Sequence, residues 1–193
     1  RWTAPPVRLP YTRGVLGSTA DEDVTPVAIE IQRHGLYVFP EKLPSEVAAR
    51  LVEFSLACPT HPFWRPEELR PYNRALPTAE TASLREEDLV ANPLVRDLIS
   101  DLSLLAVAQG YLGCSPVLAS VQMWWSTCFA SEPRSDAGQL YHFDMDRVKW
   151  LKFFVYLTDV TADRGPHCYV DGSHRCDRVS TGLLRRGYAR ITD

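Results

Sequence analysis

The stretch Tyr141-His142-Phe143-Asp144, with the segments that follow it at residues 152–160 and 172–174, decides the fold of this chain. On a β-strand, successive side chains point to opposite faces, so His142 and Asp144 share one face. An imidazole and a carboxylate on a common face are two of the three ligands of a 2-His-1-carboxylate metal site, which leaves coordination positions open for oxygen chemistry. Such a short pattern also arises by chance, and a lone histidine on a strand is more often a hydrogen-bonded structural residue.

The composition around this stretch is that of an ordinary globular protein. The chain has 193 residues, of which 45% are hydrophobic and 23% are charged, and this length suits one domain with its own core. A net charge of -3 gives no reason to expect a nucleic acid or an anionic membrane as a partner. No apolar run approaches the roughly 18 residues that a membrane-spanning helix needs, and the proline-rich first residues do not resemble a secretion signal.

The cysteines indicate a reducing compartment. There are five of them, an odd number, widely spaced and without a C-x-x-C pair. This spacing argues against a disulfide framework and against a structural zinc site. We therefore expect a cytoplasmic protein.

Helical patterns dominate the first part of the chain. Apolar residues at helical spacing predict a helix over residues 45–57, just after Pro44. Asn92-Pro93 predicts a fresh helix start, and the leucine stripe that follows predicts one helix ending at Gly110 or Gly113. Ser83 and Glu86 have the spacing of a capping box, and residues 35–39 are expected to form a strand.

Strand patterns dominate from residue 117 onward. The apolar and β-branched run at 117–127 is followed by a polar loop and by predicted strands at 139–146, 150–157 and 167–170. Helices first and short strands afterwards predict the α+β class, with helices packed against a β-sandwich or barrel.

Together these stretches resemble the phytanoyl-CoA dioxygenase-like family of iron(II)/2-oxoglutarate-dependent oxygenases. The resemblance covers roughly residues 45–176, in order and spacing, and its last segment is similar to the family's G-P-x-x-x-x-P-G-S-H, with Asp171 in place of the usual proline. The residues that carry it are Asn92-Pro93 to Leu112-Gly113, His142-Phe143-Asp144, Phe153-Phe154-Val155-Tyr156-Leu157-Thr158-Asp159-Val160 and Gly165-Pro166-His167-Cys168-Tyr169-Val170-Asp171-Gly172-Ser173-His174-Arg175.

The resemblance implies a double-stranded β-helix, a jelly-roll or cupin-like barrel flanked by N-terminal helices. On that basis we expect residues 1–193 to form a single oxygenase-like domain, with a helical part at 27–113 and the first half of the barrel at 115–193. The C-terminal half of the barrel is expected to be missing from this chain, which would then be a piece of a longer enzyme.

The resemblance also implies an activity and its cofactors. The chain would be a non-haem Fe(II)- and 2-oxoglutarate-dependent dioxygenase that uses O2 to hydroxylate a small organic substrate. His142 and Asp144 would be the first two iron ligands, with no catalytic residue beyond the metal ligands. The third histidine and the arginine that binds 2-oxoglutarate are expected beyond Asp193. His167 and His174 are less favoured alternatives for the third ligand, because they fall in a segment that the family uses as a strand and turn, and His174 is expected to fix that turn by hydrogen bonding.

Two further side chains are candidates for binding the co-substrate. Gln122 lies on the strand before His142, within expected hydrogen-bond reach. Lys152 shares a face with Trp150 and Tyr156; on an inward face it would pair with a carboxylate, and on an outward face it would be solvated.

Two other classes of function stay open at this level. One is a catalytically incomplete binding or structural protein of the same fold. The other is a cupin-like metalloenzyme, such as an isomerase, that uses no 2-oxoglutarate and needs further His or Glu ligands near His142. The pattern determines neither the substrate nor the oligomeric state.

Overall fold

The computed structural model describes residues 4–9, 11–134, 137–144 and 149–185, and it has helices and antiparallel strands in one chain. The helices are α1 (Asp21–His34), α2 (Ser45–Ala57), α3 (Glu86–Ala91), α4 (Pro93–Ile99), α5 (Leu102–Leu112) and α6 (Thr181–Arg185), with 3-10 turns at Ala162–Arg164 and Cys176–Arg178. The strands are β1 (Tyr11–Gly14), β2 (Gly17–Ala20), β3 (Pro59–His61), β4 (Arg70–Pro71), β5 (Thr81–Leu84) and β6 (Trp124–Ser126). None of the described helices is long and apolar enough to cross a membrane.

The strands form two antiparallel sheets. β1 and β2 make a hairpin, and the second sheet has the order β4-β3-β5-β6. In the second sheet Thr60 of β3 faces Leu84 of β5, and Ala82 of β5 faces Trp125 of β6. The β5–β6 pairing connects the helical part of the chain to the segment that leads toward His142.

One apolar core lies between the second sheet and three helices. Its buried centre is formed by Leu51 of α2, Leu84 of β5, Leu89 of α3 and Val95 of α4. Burying each of these side chains contributes about 1.5–3 kcal/mol, so the four together fix the helices on the sheet. The partly buried residues packed around this centre include Val121, Met123 and Leu157, which anchor the later segments to the same core.

A second packing unit joins α1, α5 and the β1–β2 hairpin. Gly110 of α5 lies against Val24 of α1, where any β-carbon would come within 2.6 Å of the valine methyl group. The Asp101 carboxylate begins α5 by accepting hydrogen bonds from the backbone N–H groups of Ser103 and Leu104, at 3.0 and 3.1 Å. The same carboxylate accepts a third bond, of 2.9 Å, from the N–H of Val15 in the hairpin turn. Asp101 therefore both caps the helix and fastens the hairpin to it.

Several local predictions are confirmed. Helix α2 has the predicted bounds, and Asn92 caps α4 by accepting from the N–H of Leu94 at 2.9 Å, with Pro93 at the first helical position. Gly113 ends α5 in the left-handed conformation, at φ 75°.

Other local predictions are wrong. The leucine stripe does not form one helix, because the chain breaks at Ser100-Asp101, and Asp101 starts α5 as a new N-cap. Ser83 does not form a capping box, since it lies in β5 and pairs with its neighbours there. Residues 35–39 are irregular: Gly35 ends α1 in the left-handed conformation, at φ 84°, and the chain turns away before a strand can form.

The α+β class is confirmed, and the jelly-roll barrel stays a prediction. Within the described residues from 115 onward, β6 is the strand and His142 makes an isolated β-bridge. Residues 150–157 form no hydrogen-bonded strand, so the strand predicted there is not formed. The strand predicted at 139–146 is not formed over 139–144 apart from that bridge, and residues 145 and 146 lie outside the described part. The region 27–113 is mainly helical, as expected, but it also supplies β3, β4 and β5.

Candidate metal centre

His142 and Asp144 lie side by side. Nε2 of His142 is 3.2 Å from Oδ1 of Asp144, and the two side chains are 30% and 26% exposed. Both groups are therefore reachable from solvent but largely covered by protein. The i, i+2 spacing brings them to one side of the chain, as the extended conformation requires.

The hydrogen bond of Nδ1 shows how the ring of His142 is oriented and leaves Nε2 to face Asp144. Nδ1 lies 2.7 Å from the carbonyl oxygen of Leu140. A carbonyl can only accept, so Nδ1 carries the proton and donates it, and in the neutral ring Nε2 presents a lone pair. That lone pair faces a carboxylate oxygen, which also bears only lone pairs. Two acceptors at 3.2 Å need a cation between them, either a proton on Nε2 or a metal ion.

The separation of the two atoms also fits a shared metal ion. A nitrogen and an oxygen that each lie about 2.1 Å from one ion at a right angle are about 3.0 Å apart. The observed 3.2 Å is close to this value. A ring whose second nitrogen donates to a backbone carbonyl is the usual arrangement of a metal-binding histidine. The donor set present, one imidazole nitrogen and one carboxylate oxygen, matches the ligands that non-haem iron prefers.

Lys152 is the third charged group of this site. Its Nζ forms an ion pair with Oδ2 of Asp144, and it also lies 4.8 Å from the ring centre of Trp150. The lysine side chain is 46% exposed, so it is neither fully buried nor fully solvated. Of the two alternatives from the sequence, pairing with a carboxylate is the one observed, and the carboxylate belongs to Asp144.

His167 lies near the pair without joining it. Its ring packs on Phe154 with 4.4 Å between the ring centres, and its backbone N–H donates to the Tyr156 hydroxyl at 3.0 Å. Partial burial, and secondarily the electrostatic interactions with Lys152 and His142, lower the pKa of His167, whereas the Asp144 carboxylate opposes this shift. The lowered pKa favours the neutral form of the ring. Across the described parts of the chain, no group of three His, Cys, Asp or Glu side chains is arranged to hold a metal ion.

The Gly-Ser-His segment packs on the end of α1. The N–H of Gly172 donates to the carbonyl of His34 at 2.8 Å, and Nε2 of His174 donates to the carbonyl of Gln32 at 3.1 Å. These bonds satisfy carbonyl groups that the end of a helix leaves without partners. His174 thus fixes this segment by hydrogen bonding, as expected, although its partner is the helix and not the turn itself.

Asp171 has a partner that the family's proline could not have. Its Oδ1 lies 2.8 Å from Nδ1 of His34, the last residue of α1. Sequence reasoning missed this contact, because His34 is 137 residues away and no local pattern connects the two. The departure from the family pattern at Asp171 was the only hint available.

Gln122 is not brought to the pair. It is exposed on the segment before β6, whose neighbouring residues Val121 and Met123 point into the core. Among the described residues no hydrogen bond connects its side chain to His142 or Asp144. A cavity of about 50 Å³ lies elsewhere, between β3, β5 and the loop at 71–79, and neither residue of the pair lines it.

Fold and site together define a mixed helix-and-sheet protein in which the side chains of His142 and Asp144 lie 3.2 Å apart. Residues 32–188 match the phytanoyl-CoA dioxygenase (PhyH) family, and the chain belongs to it. Comparisons with curated proteins and with solved structures found no match. Membership implies oxygenase activity of the Fe(II)/2-oxoglutarate type in general, with a small-molecule substrate and O2.

Proposed function

We propose that this protein is a non-haem Fe(II)- and 2-oxoglutarate-dependent dioxygenase that hydroxylates a small organic substrate, with His142 and Asp144 as two of its iron ligands. The observation that carries this proposal is the separation of 3.2 Å between Nε2 of His142 and Oδ1 of Asp144, while Nδ1 of the same ring is bonded to the Leu140 carbonyl. A proton on Nε2 would make the same contact a plain ion pair, and metal binding by the wild type that is lost in His142→Ala distinguishes the two.

The residues of the chain would hold and orient the iron. The Leu140 carbonyl keeps Nε2 of His142 free, and the ion pair with Lys152 holds Asp144 with Oδ1 turned toward that nitrogen. Bound iron(II) would supply open coordination positions, where the oxidative decarboxylation of 2-oxoglutarate by O2 is coupled to substrate hydroxylation. Trp150 contacts the Lys152 ammonium group, and Phe154 packs on the ring of His167.

The other contributions to the site are also part of the proposal. Lys152 adjoins the iron pair, and its remaining N–H groups are available for a carboxylate of 2-oxoglutarate. Gln122 would reach the co-substrate only if the segment before β6 turned, since its side chain is exposed there. We place the third iron ligand and the arginine for 2-oxoglutarate outside the described residues, because those residues offer no three-ligand cluster.

A second candidate function is a binding protein of the same family that has lost turnover. The lack of a three-ligand cluster within the described residues favours it. It predicts that His142 and Asp144 still bind a metal ion but that 2-oxoglutarate is not consumed.

We also propose a cytoplasmic location. Cys58, Cys114, Cys128 and Cys168 are free thiols, which agrees with a reducing compartment.

The test is the production of succinate from 2-oxoglutarate by the complete protein with Fe(II) and ascorbate in air. We expect succinate above the iron-free background, and a loss of at least about 100-fold in His142→Ala. The matched control is His61→Ala, because His61 also donates to a neighbouring carbonyl but lies in β3. Equal succinate from the wild type and from His142→Ala would refute the assignment. Metal binding without succinate would favour the second candidate.

A further inference from the structure

Both carboxylate oxygens of Asp144 are engaged in the structure. Oδ1 faces Nε2 of His142 at 3.2 Å, and Oδ2 is paired with Nζ of Lys152. The ammonium group is kept there by a second contact, with the ring of Trp150 at 4.8 Å. The positive charge of Lys152 is therefore separated from the proposed iron position by the carboxylate of Asp144.

This charge has two physical consequences for a divalent ion. First, the ammonium repels the incoming cation and neutralises part of the negative charge of Asp144, so it lowers the affinity of the site. Second, it occupies Oδ2, so Asp144 has only Oδ1 to offer to a metal. A carboxylate that binds through one oxygen leaves one more coordination position open than a carboxylate that chelates.

We propose that Lys152 acts through Asp144 to limit the metal affinity of the site and to keep Asp144 a one-oxygen ligand. This inference rests on the proposed function, since it assumes that His142 and Asp144 are the metal-binding pair. Lys152 is a positioning residue in this account. Lys152 thereby lowers the affinity of the site for the metal ion and leaves one more coordination position open.

The test is a titration of the full chain with Co(II), followed by calorimetry and by the visible absorption of the bound ion, without 2-oxoglutarate. Lys152→Met removes the charge and keeps the length of the side chain, and we expect it to bind Co(II) at least about tenfold more tightly than the wild type. Lys152→Gln is a second neutral variant with the same expected direction. Lys152→Arg keeps the charge and is expected to stay within about threefold of the wild type.

The visible spectrum gives a readout beyond affinity. If Oδ2 becomes free to coordinate in Lys152→Met, the absorption band of bound Co(II) should change in position or intensity, whereas Lys152→Arg should keep the wild-type band. Since Lys152 is half-exposed, its substitution should leave the fold intact, which circular dichroism checks.

The outcomes separate the two proposals. If wild type binds Co(II), His142→Ala does not, and both neutral Lys152 variants bind with wild-type or weaker affinity, the inference about Lys152 is overturned while the metal site stands. If wild type and His142→Ala bind Co(II) equally, or if no variant binds it, the metal site itself is refuted and the inference fails with it.

Discussion

Gly35 offers the sharpest test of how the Gly-Ser-His segment is held. This residue ends α1 at φ +84°, and a β-carbon there would collide with the hydroxyl of Tyr169 and the ring of His174. Gly17 has nearly the same backbone conformation, at φ +79°, but a β-carbon there would meet nothing within 4 Å. An alanine would therefore have the same backbone strain at both positions, but its β-carbon would collide with other side chains only at Gly35.

The expected magnitudes follow from that difference. An alanine in the left-handed conformation costs about 1–2 kcal/mol, and this cost applies to Gly17→Ala and Gly35→Ala alike. The loss of glycine freedom in the unfolded chain is also the same at both positions, so it cancels in the comparison. The collision adds about 1–3 kcal/mol, the usual cost of inserting a methyl group where none fits, and only at Gly35.

Urea unfolding of both variants measures the difference directly. Gly35→Ala should lower the free energy of unfolding by about 1–3 kcal/mol more than Gly17→Ala. Hydrogen exchange gives the local readout: the N–H of Gly172, bonded to the carbonyl of His34, should exchange faster in Gly35→Ala and be unchanged in Gly17→Ala. Equal destabilisation and equal exchange would show that the segment does not pack on α1 as described.

Two further predictions concern stability. Asp101→Ala removes the cap of α5 and leaves the N–H of Val15 without its acceptor. Urea unfolding should therefore show a free energy of unfolding lower by about 2–4 kcal/mol, whereas Asp97→Ala, at an exposed position, should lower it by at most about 0.5 kcal/mol. Similar losses in both variants would contradict the capping role. The pKa of His167 is lowered from its ordinary 6.5 in the folded state, so the unfolded chain binds the extra proton first as the pH falls. Stability should therefore be full above about pH 6.5 and decrease below it, with a weaker decrease in His167→Gln; identical pH profiles of the two proteins would refute this origin.

Local patterns predicted the elements whose cause is local. Helix α2 and the start of α4 follow from nearby residues, namely apolar spacing over 45–57 and the side chain of Asn92. The break between α4 and α5 was missed because the leucine stripe continues across it, although Asp101 carries the N-cap chemistry that marks a new helix. Ser83 has the spacing of a capping box, but pairing with β3 and β6 determines its conformation.

In the candidate site, too, the contacts with a local cause were predictable from the sequence and the long-range contacts were not. The closeness of His142 and Asp144 was predictable, since the extended conformation brings residues i and i+2 to one side. Pairing of Lys152 with a carboxylate was predicted as one of two alternatives, but Asp144 was not named as its partner, because the sequence does not say which face of residues 150–157 meets the pair. The contact between Asp171 and His34 depends on how α1 is placed in the fold, and no spacing rule reaches that far.

The central claim is that His142 and Asp144 bind one iron ion. Anomalous diffraction at the iron absorption edge, from crystals of the full chain loaded with Fe(II) without oxygen, tests it most directly. We expect one strong peak in contact with both Nε2 of His142 and Oδ1 of Asp144, each about 2.0–2.2 Å away, and no such peak in His142→Ala. A peak elsewhere, or a peak that persists in His142→Ala, would contradict it.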